Sequence, residues 1–165
     1  MMEILKIPEE RKAVLIGKDG SVKKEIEEKT KTKISIGETI KIKGDTLNLL
    51  KAKNIIKAIG RGFSPEKALE LLKDDYELYI ISLVQKTPKS IKRILARIIG
   101  RKGSAKKKIE EYTETYISVY GKTISIIGRW DNVDKARRAI EMILEGKPHG
   151  YVYKSLINMK KGEVK

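Results

Sequence analysis

Apolar and polar positions recur along this chain in a pattern written twice. Residues 14–36 read V-L-I-G-K-D-G-S-V-K-K-E-I-E-E-K-T-K-T-K-I-S-I, and residues 97–119 read R-I-I-G-R-K-G-S-A-K-K-K-I-E-E-Y-T-E-T-Y-I-S-V. At this offset of 83, 13 of 23 aligned positions are identical. One extra residue near Tyr120 or Gly121 shifts the offset to 84. Ile40, Ile42 and Gly44 then fall on Ile124, Ile126 and Gly128, and Lys51-Ala52 on Lys135-Ala136. Two copies at so long a period mean two domains, not a solenoid.

Each copy predicts the same elements. A first strand is expected over residues 3–7 and, more strongly, over 76–84. Short helices of helical apolar period follow at 10–16 and 91–99. Glycines then bracket a four-residue loop. Ser21 and Ser104 stand where an N-cap would, opening helices that end near Thr30 and Thr113. Alternation predicts strand pairs at 33–36 with 39–43, and at 115–119 with 123–127. Amphipathic helices close the units at about 47–59 and 132–144. The order is β-α-α-β-β-α in both copies, an α+β class. Domain bounds follow: 1–62 for the first unit, 63–75 for a connector, 76–147 for the second unit and 148–165 for a tail of open order. Gly60 to Pro65 breaks the chain, and Pro65 stands at the first position of the connector helix.

Composition narrows the partner. The chain has 165 residues, 40% of them hydrophobic, and a net charge of +15. That excess of one sign favours a polyanionic partner, because each cation laid on a phosphate releases a condensed counterion. Abundant Lys, Glu and Ile also fit a thermophile's surface, which would not by itself need so one-sided a charge. The absence of cysteine excludes disulfides, thiolate zinc sites and cysteine nucleophiles. No apolar run approaches the ~20 residues that span a bilayer, and residues 1–7 lack the apolar stretch of a signal peptide. A soluble, cytoplasmic monomer is expected.

The repeated Gly-x-x-Gly is where chemistry is expected. Without a Cβ, glycine lets another backbone come close, and the amides opening the next helix form an anion site. Beside an aliphatic floor, such a loop clamps about four single-stranded nucleotides. In the first unit the predicted site is Gly17, Lys18, Asp19, Gly20, Ser21 and Lys23, over Ile16, Ile26 and Ile34. In the second it is Gly100, Arg101, Lys102, Gly103, Ser104, Lys106 and Lys107, over Ile99, Ile109 and Ile117. Ordinary core is the competing reading for each isoleucine, and a solvated helix face for Lys107 or Lys108. Asp19 repels phosphate where the second loop presents two cations, so the second unit is expected to carry more of the affinity.

The block I-G-x-x-G-S-x-K-K-x-I-E-E-x-T-x-T-x-I-S resembles the type I KH domain. More narrowly, it resembles the KH proteins of small-ribosomal-subunit assembly, the family of the eukaryotic "partner of Nob-one" factor and its archaeal counterparts. Lys23 and Lys106, where generic KH units carry an aliphatic residue, suit that subgroup. So do the closing Gly146-Lys147-Pro148 and the Val152-Tyr153 pair. The resemblance covers nearly the whole chain. It implies binding to the single-stranded 3′ region of small-subunit rRNA, with a PIN-domain trimming endonuclease and other small-subunit factors as partners. Eukaryotic relatives usually lack an intact first Gly-x-x-Gly; Gly17 and Gly20 look like the archaeal form.

Other motifs do not complete. Gly121-Lys122-Thr123 lacks the earlier glycine of a P-loop, which would stand at Tyr116. His149 reads as a surface loop residue, and Trp130 as a packing residue opening the last helix. Tyr116 and Tyr120 read as cross-strand packing. Asp74 and Asp75 find no second carboxylate pair for a metal, and no nucleophile–base–orienter set is visible. No catalysis, metal or cofactor is expected. The rivals are another RNA-metabolism factor (transcription elongation or exosome-associated) and a KH-based protein-interaction scaffold. Asp19 is the best support for the scaffold.

Overall fold

The computed structural model describes residues 1–164. Lys165, the last residue of the expected tail, lies outside them. The chain divides into two compact units, Met1–Leu78 and Tyr79–Lys165.

The first unit runs β1 (Met2–Leu5), α1 (Glu9–Ile16), α2 (Ser21–Thr30), β2 (Lys33–Ile36), β3 (Ile40–Lys43), α3 (Thr46–Gly60) and a short α4 (Pro65–Ala68). Its three antiparallel strands are ordered β1-β3-β2. β1 stops at Leu5 rather than Ile7 because β3 begins at Ile40, Leu5's partner, leaving Lys6 and Ile7 nothing to pair with. Alternation does what the pattern requires. Ile34, Ile40 and Ile42 turn inward to meet Leu15, Ile26, Ile55 and Ile59, all at most 4% exposed. Each such side chain removed from water stabilises by about 1.5–3 kcal/mol before entropy is charged against it.

The connector caps itself: the Ser64 hydroxyl accepts from the Lys67 N–H at 3.4 Å, with Pro65 at the first helical position. Its second half, Leu69–Leu72, is a 3₁₀ turn and not α-helix. Lys51 ties it down by donating to the Leu72 carbonyl at 2.9 Å and to Asp74 at 2.7 Å. That hydrogen bond and the Lys51 charge hold the Asp74 carboxyl below the usual carboxylate range.

The second unit repeats the plan with β4 (Tyr76–Ser82), α5 (Pro88–Ile99), α6 (Ser104–Thr113), β5 (Tyr116–Tyr120), β6 (Thr123–Arg129) and α7 (Trp130–Leu144), its sheet ordered β4-β6-β5. The residues read as an open tail form a sixteen-residue helix, α8 (His149–Val164). Its Val152 and Leu156, at 0% and 2% exposed, join the core of Ile98, Ile109, Ile126 and Ile140. His149 is therefore no loop residue. It opens α8, its Nε2 lies 2.8 Å from the Arg97 carbonyl, and its ring stacks on Tyr153. Trp130 opens α7 as expected but does not pack, being 62% exposed. Among the described residues no helix is long and apolar enough to cross a membrane.

Candidate nucleic-acid interface

Both Gly-x-x-Gly segments adopt one backbone shape. Gly17 and Gly100 lie at φ +73° and +75°, Gly20 and Gly103 at +77° and +76°, and the residues between, Asp19 and Lys102, at +55°. The two glycines of a loop do different work. A Cβ on Gly17 would run into Val22, within 2.8 Å of its backbone nitrogen, and one on Gly100 would come within 2.7 Å of the Ala105 nitrogen. The first glycine is thus required by the turn's own packing. A Cβ on Gly20 or Gly103 would meet nothing within 4 Å. The second glycine alone faces open space, where an incoming backbone can approach.

Ser21 and Ser104 are not N-caps. They are the first helical residues, at φ −61° and −65°, and left-handed Gly20 and Gly103 occupy the cap position. No side-chain hydrogen bond caps α2 or α6. The opening N–H groups of both helices thus lack the side-chain acceptor that most N-termini supply, and they retain the helix dipole's partial positive charge.

Burial divides the expected apolar floor. Ile16 and Ile99 are 38% and 37% exposed, at the loops' entrances. Ile26, Ile34, Ile109 and Ile117 are at most 4% exposed and belong to the core. Inward alternation on β2 and β5 turns Ile34 and Ile117 mainly into the core. The cations divide too. Lys18, Arg101, Lys102 and Lys107 are exposed. Lys23 lies 3.8 Å from Glu27, and Lys106 3.5 Å from Glu110. Lys108 sits over the Tyr153 ring at 4.7 Å. The second unit has 20 Lys and Arg against 8 Asp and Glu, and the first 17 against 14, so the net positive charge lies mainly in the unit that carries the Gly100 loop.

Two residues of the groove were missed from sequence. The Ile34 N–H donates to Glu27 Oε2 at 2.8 Å, and the Ile117 N–H to Glu110 Oε2 at 2.8 Å. Each carboxylate stands between a groove lysine and an edge strand. Their position as the first Glu of a twice-written I-E-E was the available signal. The T-x-T that follows is a buckle. Thr30 donates to the Ile26 carbonyl at 2.6 Å and contacts the Thr32 hydroxyl at 2.7 Å; Thr113 and Thr115 repeat this at 2.6 and 2.8 Å.

Residues 75–161 match the family model described as "Eukaryotic type KH-domain (KH-domain type I)", that of the second KH domain of Pno1, and residues 2–58 match the KH domain. The crystal structure of Dim2p from Pyrococcus horikoshii superposes with a TM-score of 0.90 at 46% identity, over 96% of this chain and 99% of that one. This chain belongs to the Pno1/Dim2 family. A KH domain-containing protein of Methanocaldococcus jannaschii is 43% identical over 94% of this chain and 72% of its own. A chain of the a/eIF2alpha-aDim2p-rRNA complex from P. horikoshii matches at TM-score 0.91 and 46% identity, over 98% of this chain and 95% of that one. The pre-rRNA-processing protein pno1 of Aspergillus fumigatus is 33% identical over 72% of this chain. The match takes in 49% of that protein, so the family's eukaryotic members are about twice the length it covers. The tandem type I KH architecture expected from the repeat is the Pno1/Dim2 fold.

Proposed function

We propose that this chain is a non-catalytic RNA-binding protein of small-subunit assembly. It holds a single-stranded segment from the 3′ region of small-subunit rRNA on its Gly-x-x-Gly loops. The observation that carries the reading is the second loop. Gly103 opens onto free space, α6 begins without a side-chain cap, and Arg101 and Lys102 are exposed beside it. Phosphates lie on the α6 amides between the two cations, and a base rests on Ile99. Relatives called pre-rRNA-processing and RNA-binding proteins, and a matching chain from an rRNA complex, support the same assignment.

Filter binding with a single-stranded RNA from the 3′ end of small-subunit rRNA tests it. Replacing Arg101→Asp and Lys102→Asp together is expected to weaken binding at least about tenfold and to flatten its salt dependence. Unchanged affinity sinks the role of the second loop, and no binding by the parent sinks the assignment.

A PIN-domain endonuclease that trims the rRNA is the protein partner the family resemblance implies. The monomeric chain would present the RNA to it. A second reading, a protein contact at the first loop, is favoured there by Asp19, which places a negative charge where a phosphate would sit. Pull-down with and without nuclease separates the two, since a direct protein contact survives digestion of the RNA.

A further inference from the structure

The outer face of the first unit's sheet carries three lysines that the fold does not require. On β3, Lys41 and Lys43 point away from the core, with Lys33 and Ser35 beside them on β2; all four are exposed. The register sets Lys33 directly opposite Lys43, and Ser35 opposite Lys41. On the other side, Met2 and Ile4 of β1, 50% and 53% exposed, complete the two rows.

Two like charges directly opposite on neighbouring strands destabilise a sheet. Shielding a sheet edge explains a lysine on β2, but Lys41 and Lys43 sit on the central strand. Among the described residues none of the three lysines forms an ion pair. The second unit does not repeat the cluster: Tyr116, Ser125 and Ile127 occupy the matching positions, and Ser125 and Ile127 are buried there, so an exposed face of lysines is particular to the first unit's sheet. An uncompensated cationic cluster kept at a cost to stability fits selection for a polyanion.

The cluster is also continuous with the first loop's helix. A cleft of about 590 Å³ is lined by Lys23 and Glu27 of α2 together with Lys33, Lys41 and Lys43. Lys23 lies three residues beyond Gly20, so cations lead from the loop over the β2 edge to the sheet's outer face. That face presents no aromatic ring on which a base could stack, which leaves the phosphates as the groups it can hold.

We propose that this outer face is a second, sequence-independent site for the RNA sugar–phosphate backbone, taking up RNA that runs on from the segment clamped at Gly17–Gly20. The inference rests on the RNA-binding function proposed above, and its test keeps the two apart. The full chain is titrated with a short single-stranded RNA from the 3′ end of small-subunit rRNA. It is then titrated with the same RNA extended by single-stranded flanks, and with the same RNA extended by a hairpin.

Lys41→Glu with Lys43→Glu is expected to weaken binding of an extended RNA by about tenfold and to lower the salt slope by about 1–2. Binding of the short RNA should change by less than about twofold. Whichever extension shows the loss identifies the form of RNA held. Lys57→Glu, an equal charge change on α3, is the control for single Lys43→Glu and should leave all three RNAs unaffected. The double variant should melt no lower than the parent, because the carboxylate introduced on β3 would face Lys33 as an attractive pair. Equal affinity of parent and double variant for both extended RNAs overturns the proposal, as does an equal loss with the short RNA or with Lys57→Glu. If the parent itself binds none of the three RNAs, the RNA-binding function has failed.

Discussion

The Ile117 N–H donates to the Glu110 carboxylate at 2.8 Å, and thereby closes the edge of β5 that faces the groove. An edge strand normally leaves such an N–H free for water, a ligand or another strand. Here a side chain from α6 takes it, and Lys106, 3.5 Å from the other carboxylate oxygen, keeps the Glu oriented. The same triad recurs with Lys23, Glu27 and Ile34. A base entering either groove therefore meets a carboxylate acceptor where the strand would otherwise offer an amide donor.

Glu110→Ala should cost about 1–3 kcal/mol, since it leaves a part-buried N–H without its partner. Glu110→Gln keeps an acceptor oxygen and should cost about 1 kcal/mol or less. Amide exchange at Ile117, followed by NMR, separates the two. The Ala variant should lose protection there first, and equal protection in both variants would refute a capping role.

The two glycines of the second loop should fail differently. Gly100→Ala drives a Cβ to within 2.7 Å of the Ala105 nitrogen in addition to left-handed strain, so the fold itself should be damaged. Gly103→Ala carries only the strain, about 1–2 kcal/mol, because its Cβ enters open space. Its larger effect should be on RNA, which meets that methyl group directly. Thermal unfolding beside filter binding checks the contrast: a large melting shift for Gly100→Ala, and a mainly binding defect for Gly103→Ala.

Asp19 and Lys102 occupy the same left-handed position, both at φ +55°. Asp is among the few non-glycine residues that tolerate this conformation, whereas a lysine there is strained. The first loop thus carries the comfortable residue, and the second keeps an uncomfortable cation. Lys102→Asn is expected to raise the melting temperature slightly and to weaken RNA binding. Asp19→Lys should do the reverse, strengthening RNA binding at a small cost in stability. If Asp19→Lys leaves affinity unchanged, the first loop does not hold RNA.

How much of this was legible in the sequence depended on how local the signal was. The duplicated block placed both loops and every strand to within two residues, because period-two alternation and Gly-x-x-Gly are local patterns. Ser21 and Ser104 were misplaced by one position, since the αL glycines that cap the helices look in sequence like ordinary turn residues. Ile26, Ile34, Ile109 and Ile117 could not be told from floor residues, because an apolar position does not say whether its face of a helix or strand meets the core or the groove. Glu27 and Glu110 stood among many surface carboxylates, and only the fold brings an edge strand to them.

Helix α8 was the least legible element, and Arg97 is what the sequence could not foresee. Gly150 and Gly162 weaken its helical pattern, and only Val152 and Leu156 mark a buried face. Tertiary contacts make the helix. The Arg97 guanidinium donates to the Ile143 carbonyl at 3.0 Å and the Lys147 carbonyl at 2.6 Å, fixing the end of α7 and the turn into α8. The Arg97 carbonyl, 2.8 Å from His149, holds the first residue of that helix. The first unit uses Arg11 in a similar way, donating to the Ile59 and Phe63 carbonyls at 2.7 and 2.8 Å. Charged hydrogen bonds of this kind contribute about 1.5–3 kcal/mol. Arg97→Ala should cost about that much in stability, and Leu156→Ala about 2–5 kcal/mol through the cavity it opens beside α6 and α7. Hydrogen exchange reads the distinction. Arg97→Ala should speed exchange first at residues 143–152, where the staple sits, and Leu156→Ala across the whole of α8. Unchanged protection in both variants would mean that α8 holds without either contact.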